Sequence, residues 1–174
     1  MSVHKFYGKY RGTVLNNIDI MGIGRILASV PAVSSLLPTS WCMPCYPLAG
    51  KLMGTSFVPQ IGSGVWIEFE GGDPDHPIWS GCFWGIEAEL PTDATKASIT
   101  NNPASPSIVL QTTLQNRVII SDLPGPTGGI ILKSLTGASI TVNDTGIYID
   151  NGKGSSITMI GPTITINNGA LTII

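Results

Sequence analysis

The chain has 174 residues, which allows one ordinary domain or two small ones. Only 11% of them are Asp, Glu, Lys or Arg, the net charge is -2 and the nine basic residues are scattered, which excludes the clustered Lys and Arg of a nucleic-acid footprint. Apolar residues reach 43%, too many for a disordered chain, and the plentiful Gly (21) and Pro (13) belong to a chain of short strands and turns.

The first segment, residues 1–88, opens on MSVHKFYGKYRG. This start is basic and aromatic and lacks the apolar core of a secretory signal, so synthesis in the cytoplasm without a signal peptide is expected. No apolar run reaches the ~18 residues of a membrane span. YRGTVLNNID reads as a strand running into a turn, and GIGRILASVPAV as the next strand, opened by Gly22 and Gly24. Residues 34–60 form an irregular loop with Trp41, Pro44, Pro47 and Gly50. GSGVWIEFEGGDPDHPIWSGCFWG then gives two strands around a turn. In the first, Val65, Ile67 and Phe69 share one face, and Trp66, Glu68 and Glu70 the other. Four or five short strands without helical periodicity suggest a small barrel such as an OB-fold.

The candidate chemistry in this segment reads as structural. Cys42, Cys45 and Cys82 are an odd number, against a disulfide framework. Cys42-Met43-Pro44-Cys45 has no second ligand pair for zinc and no βαβ context for redox work. Asp73, Asp75 and His76 lie in a Gly/Asp/Pro turn, where those residues set geometry. Glu68 and Glu70 alternate on an outer face. No catalytic residue, metal site or cofactor is expected. Trp41, Trp66, Trp79 and Trp84 admit an alternative function, an OB-fold carbohydrate- or single-strand-binding module with an oligomerising tail. The lack of basic residues argues against it, and barrel packing and subunit contacts account for the aromatics.

Residues 89–107 are polar and Pro-containing and read as a linker. From 108 to 174 the character changes. SIVLQT, NRVIISD and GGIILKS are short strands, followed by five apolar–polar–apolar units beginning at Ile140, Ile147, Ile157, Ile164 and Leu171. Their spacings are 7, 10, 7 and 7, and turn residues connect them. Alternation puts Ile140, Val142, Ile147, Ile149, Ile157, Met159, Ile164, Ile166, Leu171 and Ile173 on one face. Thr141, Tyr148, Thr158, Thr165 and Thr172 take the other. A narrow sheet with one apolar side needs a cover. A small barrel has its own core, whereas a regular repeat gives each copy of itself the same complementary surface. Three copies enclose a triangular prism filled by Ile and Val, which makes those ten residues the expected trimer core.

The motifs then resemble a known family. YRGTVLNNIDIMGIGRILASVP, PCYPLAG and GTSFVPQIGSGVWIEFEGGDPDHPIWSGCFWG resemble the OB-fold of central spike proteins of contractile tails. GASITVNDTGIYI and ITMIGPTITINNGALTII are similar to the trimeric β-helix of the same proteins. The family is the baseplate assembly protein V and VgrG-like spike family, and the resemblance runs from about residue 7 to 174. It implies an all-β homotrimer, an N-terminal OB-fold barrel followed by an intertwined trimeric β-helix or β-prism needle. It implies a component of a phage tail baseplate or an extracellular contractile injection particle. The OB-fold attaches to a tail hub protein, and sheath contraction drives the needle into the target cell envelope. Phe6, Tyr7, Tyr10, Trp66, Trp79 and Trp84 are the expected collar and hub contacts. The large hub domains fused in front of secretion-system homologues are missing, which points to a phage with a separate hub. The linker is too short for the lysozyme domain of some members. The two histidines, His4 and His76, lie far from the C-terminus, so the His-x-His metal tip of some phage spikes has no counterpart. Leu171, Thr172, Ile173 and Ile174 are instead expected to dock a PAAR-type tip protein.

Overall fold

The computed structural model describes residues 4–94 and 107–173. The chain divides into two compact units, Met1–Glu89 and Leu90–Ile174. Most of the expected linker, residues 95–106, lies outside the described residues.

Among the described residues the first unit holds seven strands: β1 (Tyr10–Asn16), β2 (Leu27–Ser29), β3 (Met43–Pro44), β4 (Ala49–Gly50), β5 (Met53–Gly54), β6 (Gly64–Phe69) and β7 (Pro77–Phe83). Five of them form one sheet in the order β2-β1-β6-β7-β3, and β4 and β5 form a separate ribbon. Beyond β2 and β3, Ile26 and Cys42 exchange backbone hydrogen bonds of 3.3 and 2.8 Å. That bridge joins the two edges and closes the sheet into a barrel, which removes the open edges a flat sheet would expose.

The barrel core follows from alternation. Val65, Ile67 and Phe69 point inward from β6, beside Val14, Ile26, Ala28, Val30, Cys42 and Trp79. The turn after β6 is tight: Glu70 N–H donates to the His76 carbonyl, and Asp73 accepts the Asp75 N–H through its carboxylate. These bonds give GGDPDHP its structural role. Asp73 is held below its usual range, chiefly by that backbone donor.

The second unit is an eight-stranded antiparallel meander. Its strands are β8 (Ser107–Gln111), β9 (Arg117–Ser121), β10 (Gly129–Lys133), β11 (Ser139–Asn143), β12 (Gly146–Asp150), β13 (Ser156–Ile160), β14 (Thr163–Ile166) and β15 (Leu171–Ile173). They lie in chain order, each hydrogen-bonded to the next. At about 4.8 Å per strand the ladder is roughly 34 Å long. Asn and Asp side chains close its turns. Asn143 Oδ1 accepts from the N–H groups of Thr145 and Gly146, and Asn151 Oδ1 from those of Lys153 and Ser155. At the β14–β15 turn Asn167 and Asn168 take φ of 50° and 55°, which Asn tolerates better than most residues.

Candidate assembly surfaces

The register of the meander decides which side chains can act together. Ile140 faces Ile149 and Val142 faces Ile147 across β11 and β12. Ile147 faces Met159 and Ile149 faces Ile157 across β12 and β13. Ile157 faces Ile166 and Met159 faces Ile164, and these face Leu171 and Ile173 in turn. The ten residues expected to share a face therefore form two unbroken apolar rows. Six more extend the rows toward β8. Ile130 and Leu132 face Val142 and Ile140, then Ile120 and Val118, then Ile108 and Leu110. Alternation alone does not reveal these six, because Ile108-Val109-Leu110 and Val118-Ile119-Ile120 are apolar at every position and leave the face unmarked.

Among the described residues no side chain of these rows is buried. Among the described residues every buried apolar side chain belongs to the first unit. Ile140 is 42% exposed and Ile149 36%, despite apolar neighbours on both sides. An apolar face of this length left open to water marks an interface. On the reverse face Thr141, Tyr148, Thr158 and Thr165 form a polar row, with the Tyr148 hydroxyl 2.8 Å from Thr145 Oγ1.

Among the described residues the ladder ends on two edge strands, β8 and β15. At the second, Leu171 and Ile173 are exposed. The side chain of Thr172, and Ile174 altogether, lie outside the described residues.

In the first unit the six aromatic contact candidates separate by environment. Trp79 is 1% exposed in the barrel core, and its Nε1–H donates to the Gly24 carbonyl at 3.0 Å. It has no surface to offer a hub, so its expected contact role is corrected to barrel packing. Phe6 and Tyr10 pack on Phe69 with ring centroids 5.9 and 5.6 Å away. Trp66 packs on Phe83 with ring centroids 4.9 Å apart and planes tilted by 47°, and the Arg11 guanidinium lies 5.6 Å from the Trp66 centroid. Tyr7 and Trp84 are open, the latter 60% exposed. Trp41 has the Arg25 guanidinium over its ring at 5.3 Å. Of the four tryptophans only Trp84 offers an open face, which is no stacking track for bases or sugars.

Sequence reasoning missed the β1–β2 loop. Asp19 is its keystone. Its carboxylate accepts from the N–H groups of Met21, Ile23 and Arg25 and from the Arg25 guanidinium at 3.0 and 2.7 Å. The Arg25 guanidinium, helped by the backbone donors, holds Asp19 well below the usual carboxylate range against the opposing effect of burial. The braced loop presents Ile18, Ile20, Met21 and Ile23 to solvent, with Ile20 98% exposed. Its signal in the sequence is an Asp two, four and six residues before the donors it gathers. At the opposite end of β1, Lys9 pairs with Glu68 at 3.0 Å and holds its carboxyl below the usual range.

Among the described residues no three metal-ligating side chains converge. Cys42 is buried, with its thiol pushed up to about 11 by desolvation, and Cys45 and Cys82 are free.

Two family models match the chain. Residues 10–84 match the Type VI secretion system/phage-baseplate injector OB domain. Residues 107–172 match the phage baseplate V C-terminal trimerisation domain. No curated protein matches it.

Proposed function

This chain belongs to the baseplate V family of contractile-tail spike proteins, and from that premise we propose that it is the cell-puncturing central spike of its particle. It is an all-β, trimer-forming baseplate component of a phage or a related injection particle, in families that are structural rather than enzymatic. The proposed needle is a prism in which each copy supplies one eight-stranded face. The rows from Ile140 to Ile173, extended to Ile108 and Leu110, fill its interior.

The observation that carries this reading is the uncovered apolar face of the meander. Side chains at that spacing gain roughly 1.5–3 kcal/mol each when fully buried. Three-fold symmetry gives every copy the same mate. A closed prism has no lateral edges and resists bending, as a penetrating tip must. Separating three interlocked faces at once raises the barrier to unfolding.

The remaining contacts extend the proposal. Tyr7, Trp84 and the braced loop Ile18–Ile23 offer the first unit's apolar surface to a hub protein or a neighbouring copy. Leu171, Thr172, Ile173 and Ile174 form the docking platform for a PAAR-type tip protein, which caps the free edge of β15. The target envelope is met only in passing. Light scattering on the purified protein is expected to give three copies of the 18.3 kDa chain. Particles rebuilt with Ile149→Lys spike are expected to contract without delivering their contents. A monomeric protein, or delivery by particles whose spike cannot trimerise, overturns the reading.

A further inference from the structure

Strands β8–β10 differ from those that follow. Their reverse face carries Val109, Ile119 and Ile131 in one row, where β11–β14 carry Thr141, Tyr148, Thr158 and Thr165. Strands apolar on both faces are strands covered on both faces, and a prism interior covers only one. The row is half-buried in the single chain, whereas Ile108, Leu110, Ile120, Ile130 and Leu132 on the opposite face are exposed.

The cover has a visible starting point. Arg117 stands two positions from Ile119 on β9, hence on the same face and about 7 Å along the strand. Its Nε lies 2.7 Å from Oδ2 of Asp93, and the two side chains are 18% and 22% exposed. That nitrogen makes no hydrogen bond, so the contact acts as a charge pair. Leu90, Pro91, Asp93 and Ala94 are all half-buried.

We propose that residues 90–94 are a strap docked on the reverse face of the meander's root. Leu90 and Pro91 cover the Val109–Ile119–Ile131 row, and Asp93 locks onto Arg117. The strap's use rests on the spike reading, but its docking does not. The chain enters the meander at β8, an edge strand held by one neighbour. Force delivered to an edge strand peels its hydrogen bonds in succession. Force delivered at Asp93 and Arg117 enters β9, which is paired on both sides, and loads two ladders together.

Trypsin cuts after Lys96, just beyond the strap, and must draw residues on both sides of the bond into an extended conformation. In the full-length trimer, Asp93→Asn and Arg117→Gln are each expected to speed that cleavage about fivefold, the factor given by the upper end of an exposed ion pair. The double variant is expected to gain no more than either single, because both act through one contact. In the unmodified trimer the amides of Thr92, Asp93 and Ala94 are expected to exchange about tenfold slower than in a free peptide of residues 88–96. Unchanged cleavage in both singles, full additivity in the double, or free-peptide exchange in the parent overturns the strap. These readouts need only purified trimer, so they separate its failure from a failure of delivery by the particle.

Discussion

Ile149 and Ile157 stand directly opposite each other on β12 and β13, the first exposed and the second half-buried in the single chain. Their immediate cross-strand neighbours on either side are Ile140 and Ile166. The contact is therefore one rung of a continuous apolar rail. A charge placed there has no polar partner within the face.

Ile149→Lys puts three ammonium groups into the proposed prism interior. An unpaired buried charge costs several kcal/mol even after relaxation. The trimer is expected to be lost, and light scattering reads the result. Thr158→Lys, on the polar face of the neighbouring strand, is expected to keep the trimer. Loss of assembly in both variants alike would contradict the assignment of faces.

The Asp19 brace makes the first unit acid-sensitive in a defined direction. Asp19 is depressed in the folded chain and titrates near about 3.9 when unfolded. Its contribution is complete above the unfolded value and is lost as pH falls through the folded one. The Tm gap between the parent and Asp19→Asn is thus expected to hold steady above about pH 5 and to narrow below about pH 4. A gap that widens on acidification refutes the brace.

Trp79 and Trp84 lie five residues apart and take opposite fates. Trp79→Ala empties a core site and is expected to cost about 3–5 kcal/mol in denaturant unfolding. Trp84→Ala is expected to stay within about 0.5 kcal/mol, since it removes an exposed side chain. Hub binding is the property expected to suffer in the second variant.

That pair also shows what the sequence hid. The alternation of β6 was legible because Val65, Ile67 and Phe69 stand among polar or amphipathic neighbours. The alternation of β7 was not. Trp66 pairs with Gly81 while Ile67 pairs with Trp79, so β7 carries a bulge at Ser80 that resets its faces. No residue type announces that shift. The ten apolar positions of the tail were legible for the same reason as β6, because threonines alternate with them. The Asp93–Arg117 contact was not legible, because it joins residues from a polar connector and a strand with nothing in their spacing to link them.

The cysteines give a simple check on the barrel. The Cys42 thiol is enclosed and raised to about 11, and desolvation also raises Cys82. Brief alkylation at pH 8 is expected to label Cys45 first, Cys82 more slowly and Cys42 only after unfolding. Mass spectrometry of the labelled peptides reads the order. Early labelling of Cys42 would mean that the Ile26–Cys42 bridge does not close the barrel.

The meander has one further consequence, for how the protein is made. Each of its strand pairs joins neighbours in sequence, so every hairpin can form within a single chain on a microsecond scale, roughly 1–10 μs for an isolated hairpin. Low sequence separation of this kind favours rapid folding. The apolar rails gain nothing from that speed until other chains arrive. Assembly is then limited by encounter, and the yield of finished spikes rises with the number of chains made in the same place at the same time.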